Sequence, residues 1–322
     1  MALAGHSVPA PRDATREGAA MGDELFEEIT ETPRSGKNGA EQAAPGVKRH
    51  RGELGKAMLS EALYRFETAV RTDVGCVRKL NEDSVLELPE AGLWVVADGM
   101  GGHTAGDFAS QTIVAELETV GVPAGALDLK SRFLERLTTA NTRIVRHAEE
   151  LGSGAIGSTI AALLIQQDKY AAIWSGDSRV YRFRGGELVQ ITRDHTEVQS
   201  LLDSGQITQV EAENWPRKNV ITRAIGVTER PECDMVQDSL MDADIFLICS
   251  DGLTEYFEAP ELARLLSEIG HGPLEPLCHS LVETALERGG KDNTSVILLR
   301  CRRNKLPAFE VAQGYPEFGG EL

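Results

Sequence analysis

Two apolar runs in this 322-residue chain end in the same way. Leu93-Trp94-Val95-Val96-Ala97 stops at Asp98-Gly99, and Ile245-Phe246-Leu247-Ile248-Cys249-Ser250 stops at Asp251-Gly252. Runs of this length and composition are expected to be strands buried on both faces, so each aspartate is the first strongly polar side chain to leave an interior. After Asp98, the glycines Gly99, Gly101 and Gly102 leave room for a carbonyl or phosphate oxygen beside the carboxylate. A lone Asp-Gly pair also reads as a hairpin turn. Two further acids shift the balance: Asp292 in Lys291-Asp292-Asn293-Thr294, before the apolar run Ser295 to Leu299, and Glu82 in Asn81-Glu82-Asp83, before Ser84-Val85-Leu86. Four acids at the edges of four apolar segments can converge at one end of a sheet structure. Hard divalent cations are bound by such clusters of oxygen atoms.

Composition narrows the function. With 33 Lys+Arg against 50 Asp+Glu, the formal charge is -17, which disfavours a nucleic-acid backbone as the main partner because that affinity rests on cations. Residues 1–60 hold 8 of the basic and 9 of the acidic side chains, so the excess belongs to the remainder. Cys76, Cys233, Cys249, Cys278 and Cys301 show no paired framework and no Cys-x-x-Cys spacing, the usage of a reducing compartment. No apolar stretch approaches the ~20 residues that span a bilayer, and no compact signal region opens the chain. These features predict a cytoplasmic protein without a membrane span.

Read in order, residues 1–60 lack sustained periodicity and are expected to be a largely disordered extension, with Thr30 and Thr32 as phosphorylation candidates. From Tyr64, alternation through Phe66, Thr68 and Val70 predicts a half-buried strand. A hairpin through Pro89-Glu90-Ala91-Gly92 joins the next two strands, Ser84 to Leu88 and Leu93 to Ala97. Helices follow up to Gly121 and over Leu129 to Leu151, then strands at Ser158 to Ile165, Tyr170 to Trp174, Val180 to Phe183 and Leu188 to Thr192. A helix from Thr196 to Asp203 leads into a polar, flap-like segment, Ser204 to Lys218. Helices at Pro260 to Ile269 and Pro273 to Arg288 precede the last strand, Thr294 to Cys301, and residues 303–322 read as a loose tail. Strand groups interrupted by helix pairs predict an α+β layered sandwich.

The set of short motifs resembles the metal-dependent protein phosphatases, the type 2C serine/threonine family, in its bacterial branch. The matching stretches are Arg78 to Ser84, Val96 to Ser110, Gly157 to Thr159, Gly176 to Arg179, Thr192 to Thr196, Ile221 to Gly226, Ser250 to Leu253 and Asp292 to Thr294, in the family's order. The resemblance implies a four-layer α/β/β/α sandwich, two central antiparallel sheets flanked by helix pairs, within a catalytic domain over residues 61–302. It also implies roles. Asp98 bridges two metals, Asp251 and Asp292 complete the first site, and Glu82 with the carbonyl of Gly99 completes the second. Asp177 holds a third, weaker ion. Arg78 receives the phosphate in a bidentate fork that lysine cannot reproduce. Asp83, His103 and Glu255 support these groups from behind.

Oxygen ligands suit Mn2+ or Mg2+ better than zinc or calcium. The implied reaction is hydrolysis of phosphoserine and phosphothreonine in proteins by a hydroxide bridging two ions, opposing a serine/threonine kinase, in a monomeric enzyme. Animal members carry a histidine directly after the Asp-Gly pair where this chain has Met100. The leaving-group proton is therefore expected from His103 or from a water on the ion held by Asp177, and His195 is read as a structural residue at the flap base. Two rivals remain: a phosphoprotein-binding scaffold with a dead site, and a nucleotidyl transferase, which would want a nucleotide cradle or basic groove.

Overall fold

Side-chain alternation along the central strands builds the layers. The computed structural model describes residues 47–49, 63–101, 105–152, 155–217, 219–304 and 318–319; Thr30, Thr32 and His103 lie outside these ranges. One sheet comprises β1 (Val47–Arg49), β3 (Asp83–Leu88), β4 (Leu93–Met100), β6 (Ile160–Gln166), β7 (Lys169–Ser175) and β10 (Asp234–Ser239) in that order, with β5 (Gly157–Ser158) also paired to β4. The second sheet runs β2 (Tyr64–Asp73), β12 (Thr294–Arg303), β11 (Ile245–Cys249), β8 (Arg179–Arg184), β9 (Glu187–Gln190). Pairing is antiparallel except between β1 and β3.

On β4, Leu93, Val95 and Ala97 face a core shared with helices α1 (Ala105–Leu117) and α2 (Ala126–Leu151). Trp94 and Val96 face the opposite way, into the core between the sheets, where they join Phe246, Ile248, Ile297 and Leu299. Leu247, Val296 and Leu298 turn outward onto α6 (Ala259–Ile269) and α7 (Leu274–Glu287). Three apolar layers thus separate four layers of secondary structure, the α/β/β/α sandwich expected. Strands buried on both faces read as unbroken apolar runs for this reason.

Several elements depart from the sequence reading. β4 does not stop at Ala97: it continues to Met100 because Gly99 pairs with Ser158 and Met100 with Gly157. β10 had no apolar alternation to announce it, since it is a half-exposed edge strand bonded only to β7. Residues Val220 to Ile225, where the sequence suggests that the chain returns from the flap ahead of β11, form a loop held by isolated bridges, Thr196 to Ile221 and Ser158 to Ile225. β1 adds a short parallel edge within the stretch expected to lack order. In the tail, Phe318 is fully buried in the helix-layer core. Aromatics scattered through the tail carry no periodicity, so the anchoring of Phe318 was not legible.

Candidate metal centre

The acids gather where β4, β11 and β12 meet the loops at one end of both sheets. Asp98 sits inside the ladder: its N–H donates to Thr159 Oγ1 (3.2 Å) and its carbonyl accepts from Thr159 N–H (2.8 Å). The next residue, Gly99, donates its N–H to the Glu82 carbonyl at 3.1 Å. A Cβ on Gly99 would lie 2.0 Å from Gly106 O, and one on Gly106 would lie 2.5 Å from Glu82 Oε1. Only glycines let α1 begin this close to the Glu82 side chain.

Asp251 opens the short helix α5 (Asp251–Thr254) directly after β11. Ser250 beside it donates to Asp83 Oδ2 (2.8 Å) and accepts from Ser295 N–H (3.0 Å). Asp292 accepts from Arg78 Nη2 at 2.6 Å and from Asn293 N–H at 2.9 Å. Asp177 lies in the turn where the chain crosses from β7 in one sheet to β8 in the other. That turn needs Gly176, whose φ is +104°.

The carboxylates lie within electrostatic reach of one another. Asp98 is held well above the usual carboxylate range by burial, and then by Asp83, Asp251, Asp177 and Asp292. Burial first, with Asp251 and Asp194, pushes Asp177 up to about 8; burial with Asp292 and Glu255 pushes Asp251 up to about 6. Asp83 is raised to about 7, again mainly by burial. Glu82 is raised too, mainly by burial. The Arg78 guanidinium is shifted upward by its bond to Asp292, with further pull from Glu82 and Asp98. Arg78, with Arg179 beside Asp177, does not balance this many acids.

Divalent cations fit such a set. Asp251 Oδ1 and Asp83 Oδ1 are buried without any hydrogen-bond partner, a state that costs free energy unless a cation or proton is supplied. Among the described residues, no three Asp, Glu, His or Cys side chains close around one point by themselves. Ions held here would lean on water and carbonyl oxygens as well, the habit of Mg2+ and Mn2+. Beside Asp177 and Asp251 opens a cavity of about 210 Å³, bounded by Arg179, Asp194 and Glu255 and by the flap helices α3 (Glu197–Asp203) and α4 (Gln209–Glu213).

Asp83, Asp98, Asp177, Asp251 and Asp292 thus lie within electrostatic reach of one another, and Glu82 joins them through Asp292 and through the Gly99 N–H that its carbonyl accepts. Glu255 lies behind Asp251 and pairs with Lys291 at 2.9 Å. Sequence reasoning passed over two organising residues. Asn293 accepts from Glu82 N–H (2.8 Å) and donates to Val74 O and Leu80 O (both 2.9 Å), so it fixes the Arg78 loop against the Asp292 loop. Thr159 links Asp98 to Ser178, Oγ1 to Oγ 2.7 Å, beside Asp177. Both stood in the quoted motifs, but bonds to main chain leave no signature in residue type. His195 is buried at the flap base: Nδ1 accepts from Gly176 N–H (3.2 Å) and Nε2 faces Asp234 (3.2 Å).

Residues 78–287 match the protein phosphatase 2C family. This chain is a member of that family. The serine/threonine protein phosphatase PstP of Mycobacterium tuberculosis is 36% identical over 233 residues, an alignment that spans 71% of this chain and 44% of PstP. The chain thus matches less than half the length of that relative. Among solved structures, PppA, described as a key regulatory component of T6SS in Pseudomonas aeruginosa, superposes with a TM-score of 0.66 at 39% identity, covering 74% of this chain and 98% of PppA. The catalytic domain of PstP in complex with 2 manganese ions superposes with a TM-score of 0.66 at 34% identity, covering 74% and 99%. Such a 2C-type phosphatase fold accounts for the sheet pair and for acids arriving from four separate segments. No described helix is long and apolar enough to cross a membrane.

Proposed function

We propose that the protein hydrolyses phosphoserine and phosphothreonine in proteins, dependent on Mn2+ or Mg2+. The observation that carries this is the convergence of Asp98, Asp177, Asp251 and Asp292 on one another, with Arg78 bonded to the last of them. Asp98, Asp251 and Asp292 would hold one ion, Glu82 and the Gly99 carbonyl with Asp98 a second, and Asp177 a third, weaker one. Ions held there would supply an acidified water as nucleophile and offset the charge of the phosphate.

The chain's own groups prepare the rest. Arg78 is about half exposed and spends one nitrogen on Asp292, so its remaining N–H groups can grip a phosphate in a two-point bond. Thr159 and Gly99 fix the Asp98 main chain, which holds its carboxylate in place. His195 is excluded as the acid for the leaving group: burial lowers its pKa, one ring nitrogen accepts from Gly176 and the other faces Asp234. With Met100 in place of an imidazole, protonation of the leaving group is left to His103 or to a water on the ion that Asp177 would hold. An opposing serine/threonine kinase is the partner this reaction implies.

We assign the reaction to residues 61–302, acting as a monomer in the cytoplasm. Purified protein should release phosphate from a phosphothreonine peptide with added Mn2+ and not in chelator. Tight phosphopeptide binding without turnover would instead indicate a scaffold.

A further inference from the structure

The loop from β2 to β3 that presents Arg78 is pinned along its length. Asn293 Nδ2 donates to Val74 O and Leu80 O, Cys76 N–H donates to Gly290 O (2.6 Å), and Gly75 N–H donates to Asp73 Oδ1 (2.8 Å). The main chain of this loop is therefore fixed, and two of its side chains are aliphatic and open to solvent. Val77 is 65% exposed and Leu80 48%. Isolated exposed aliphatics are ordinary. These two are set apart by position: Val77 is the bonded neighbour of Arg78, and Leu80 lies between Arg78 and Glu82.

We propose that Val77 and Leu80 are the contact surface for the substrate chain beside the phosphorylated residue, and that the protein favours phosphoserine or phosphothreonine with an aliphatic residue one or two positions away. This rests on the phosphoprotein-hydrolysis reading. Charge complementarity favours a phosphate at Arg78, a half-exposed cation bonded to Asp292. Successive Cα atoms are ~3.8 Å apart, so the residues one or two positions from the phosphorylated one are carried with it to the loop that presents Arg78. Covering the two side chains removes apolar surface from water.

The test is kcat/KM with Mn2+ on two phosphothreonine decapeptides that differ only in carrying Leu or Ser at the positions flanking the phosphothreonine, with p-nitrophenyl phosphate as a third substrate. Wild type should prefer the Leu peptide about tenfold, chiefly through KM. A Val77→Ser/Leu80→Ser double variant should bring that ratio to about one. The ratio is taken within each protein, so a loss of folded fraction or metal affinity cancels. Hydrolysis of p-nitrophenyl phosphate with no peptide preference in wild type, or a preference unchanged in the variant, overturns this inference alone. Concentration-dependent self-association abolished by the double variant, without a peptide preference, also overturns it and assigns the patch to a second copy of the chain. No release from any of the three substrates overturns this inference together with the phosphatase reading.

Discussion

The two Asp-Gly strand ends look alike in sequence and are built differently. Asp98-Gly99 stays within β4, bonded through its main chain to Thr159 and Glu82. Asp251-Gly252 leaves β11 and turns at once into α5, where Asp251 Oδ1 has no partner. Both glycines are closed in, Gly99 against Gly106 O and Gly252 against Asn293 O, each 2.0 Å from where a Cβ would stand. The shared requirement is a carboxylate at the mouth of a buried strand followed by a residue without a side chain. Backbone conformation is free to differ as long as both oxygen sets reach the same point.

Breaking either carboxylate should have the largest effect. Asp98→Asn should lower phosphate release about 10³-fold or more, and Asp251→Asn about 10²-fold or more, measured with saturating Mn2+. In metal-free protein the same substitutions should leave the melting temperature unchanged or raise it, because each removes a charge from a crowded, poorly solvated cluster. A drop in that melting temperature would show that these acids hold the fold together without ions.

The glycines sharpen the comparison from the packing side. Gly99→Ala and Gly252→Ala should each cost about 1–3 kcal/mol or more in denaturant unfolding, since backbone oxygens occupy the space a methyl would need. Equal costs would support a common packing rule. A tolerated Gly252→Ala would mean that α5 can shift where β4 cannot.

The pH dependence of metal-free stability follows from the acids' raised pKa values. Asp251, Asp83 and Asp177 titrate at about 6, about 7 and about 8 in the folded chain, against 3.8 ordinarily. Between roughly pH 4 and pH 8 the folded state binds more protons than the unfolded one, so this contribution is fully present in acid and is lost as pH rises through 6 to 8. Thermal melts of chelated protein should fall across that window. Mn2+ should flatten the fall, because it takes the place of the protons and binds only the folded chain.

The smallest effect is expected at the rim. Arg78→Lys should reduce kcat/KM on a phosphopeptide about tenfold while leaving stability nearly unchanged, because the Arg78–Asp292 pair is half open to solvent.

These comparisons show what was legible in the chain. Unbroken apolar runs revealed β4, β11 and β12 because two-sided burial leaves its mark on composition. The acids were visible because they end those runs. β10 and the anchored Phe318 were not, since an exposed edge strand and a single buried aromatic leave no periodic trace. The supporting contacts of Asn293, Thr159 and His195 were hidden for another reason. Each acts through main-chain groups that are distant in sequence, and only tertiary structure brings those together.

The most direct test is a titration of metal-stripped protein with Mn2+, following bound ions by calorimetry and phosphate release from a phosphothreonine peptide in the same samples. At least two ions should bind per chain, release should begin only as the second site fills, and Asp98→Asn should lose both signals together. Full release in chelator, or binding of a single ion with undiminished turnover, would contradict the assignment of these acids to paired cations.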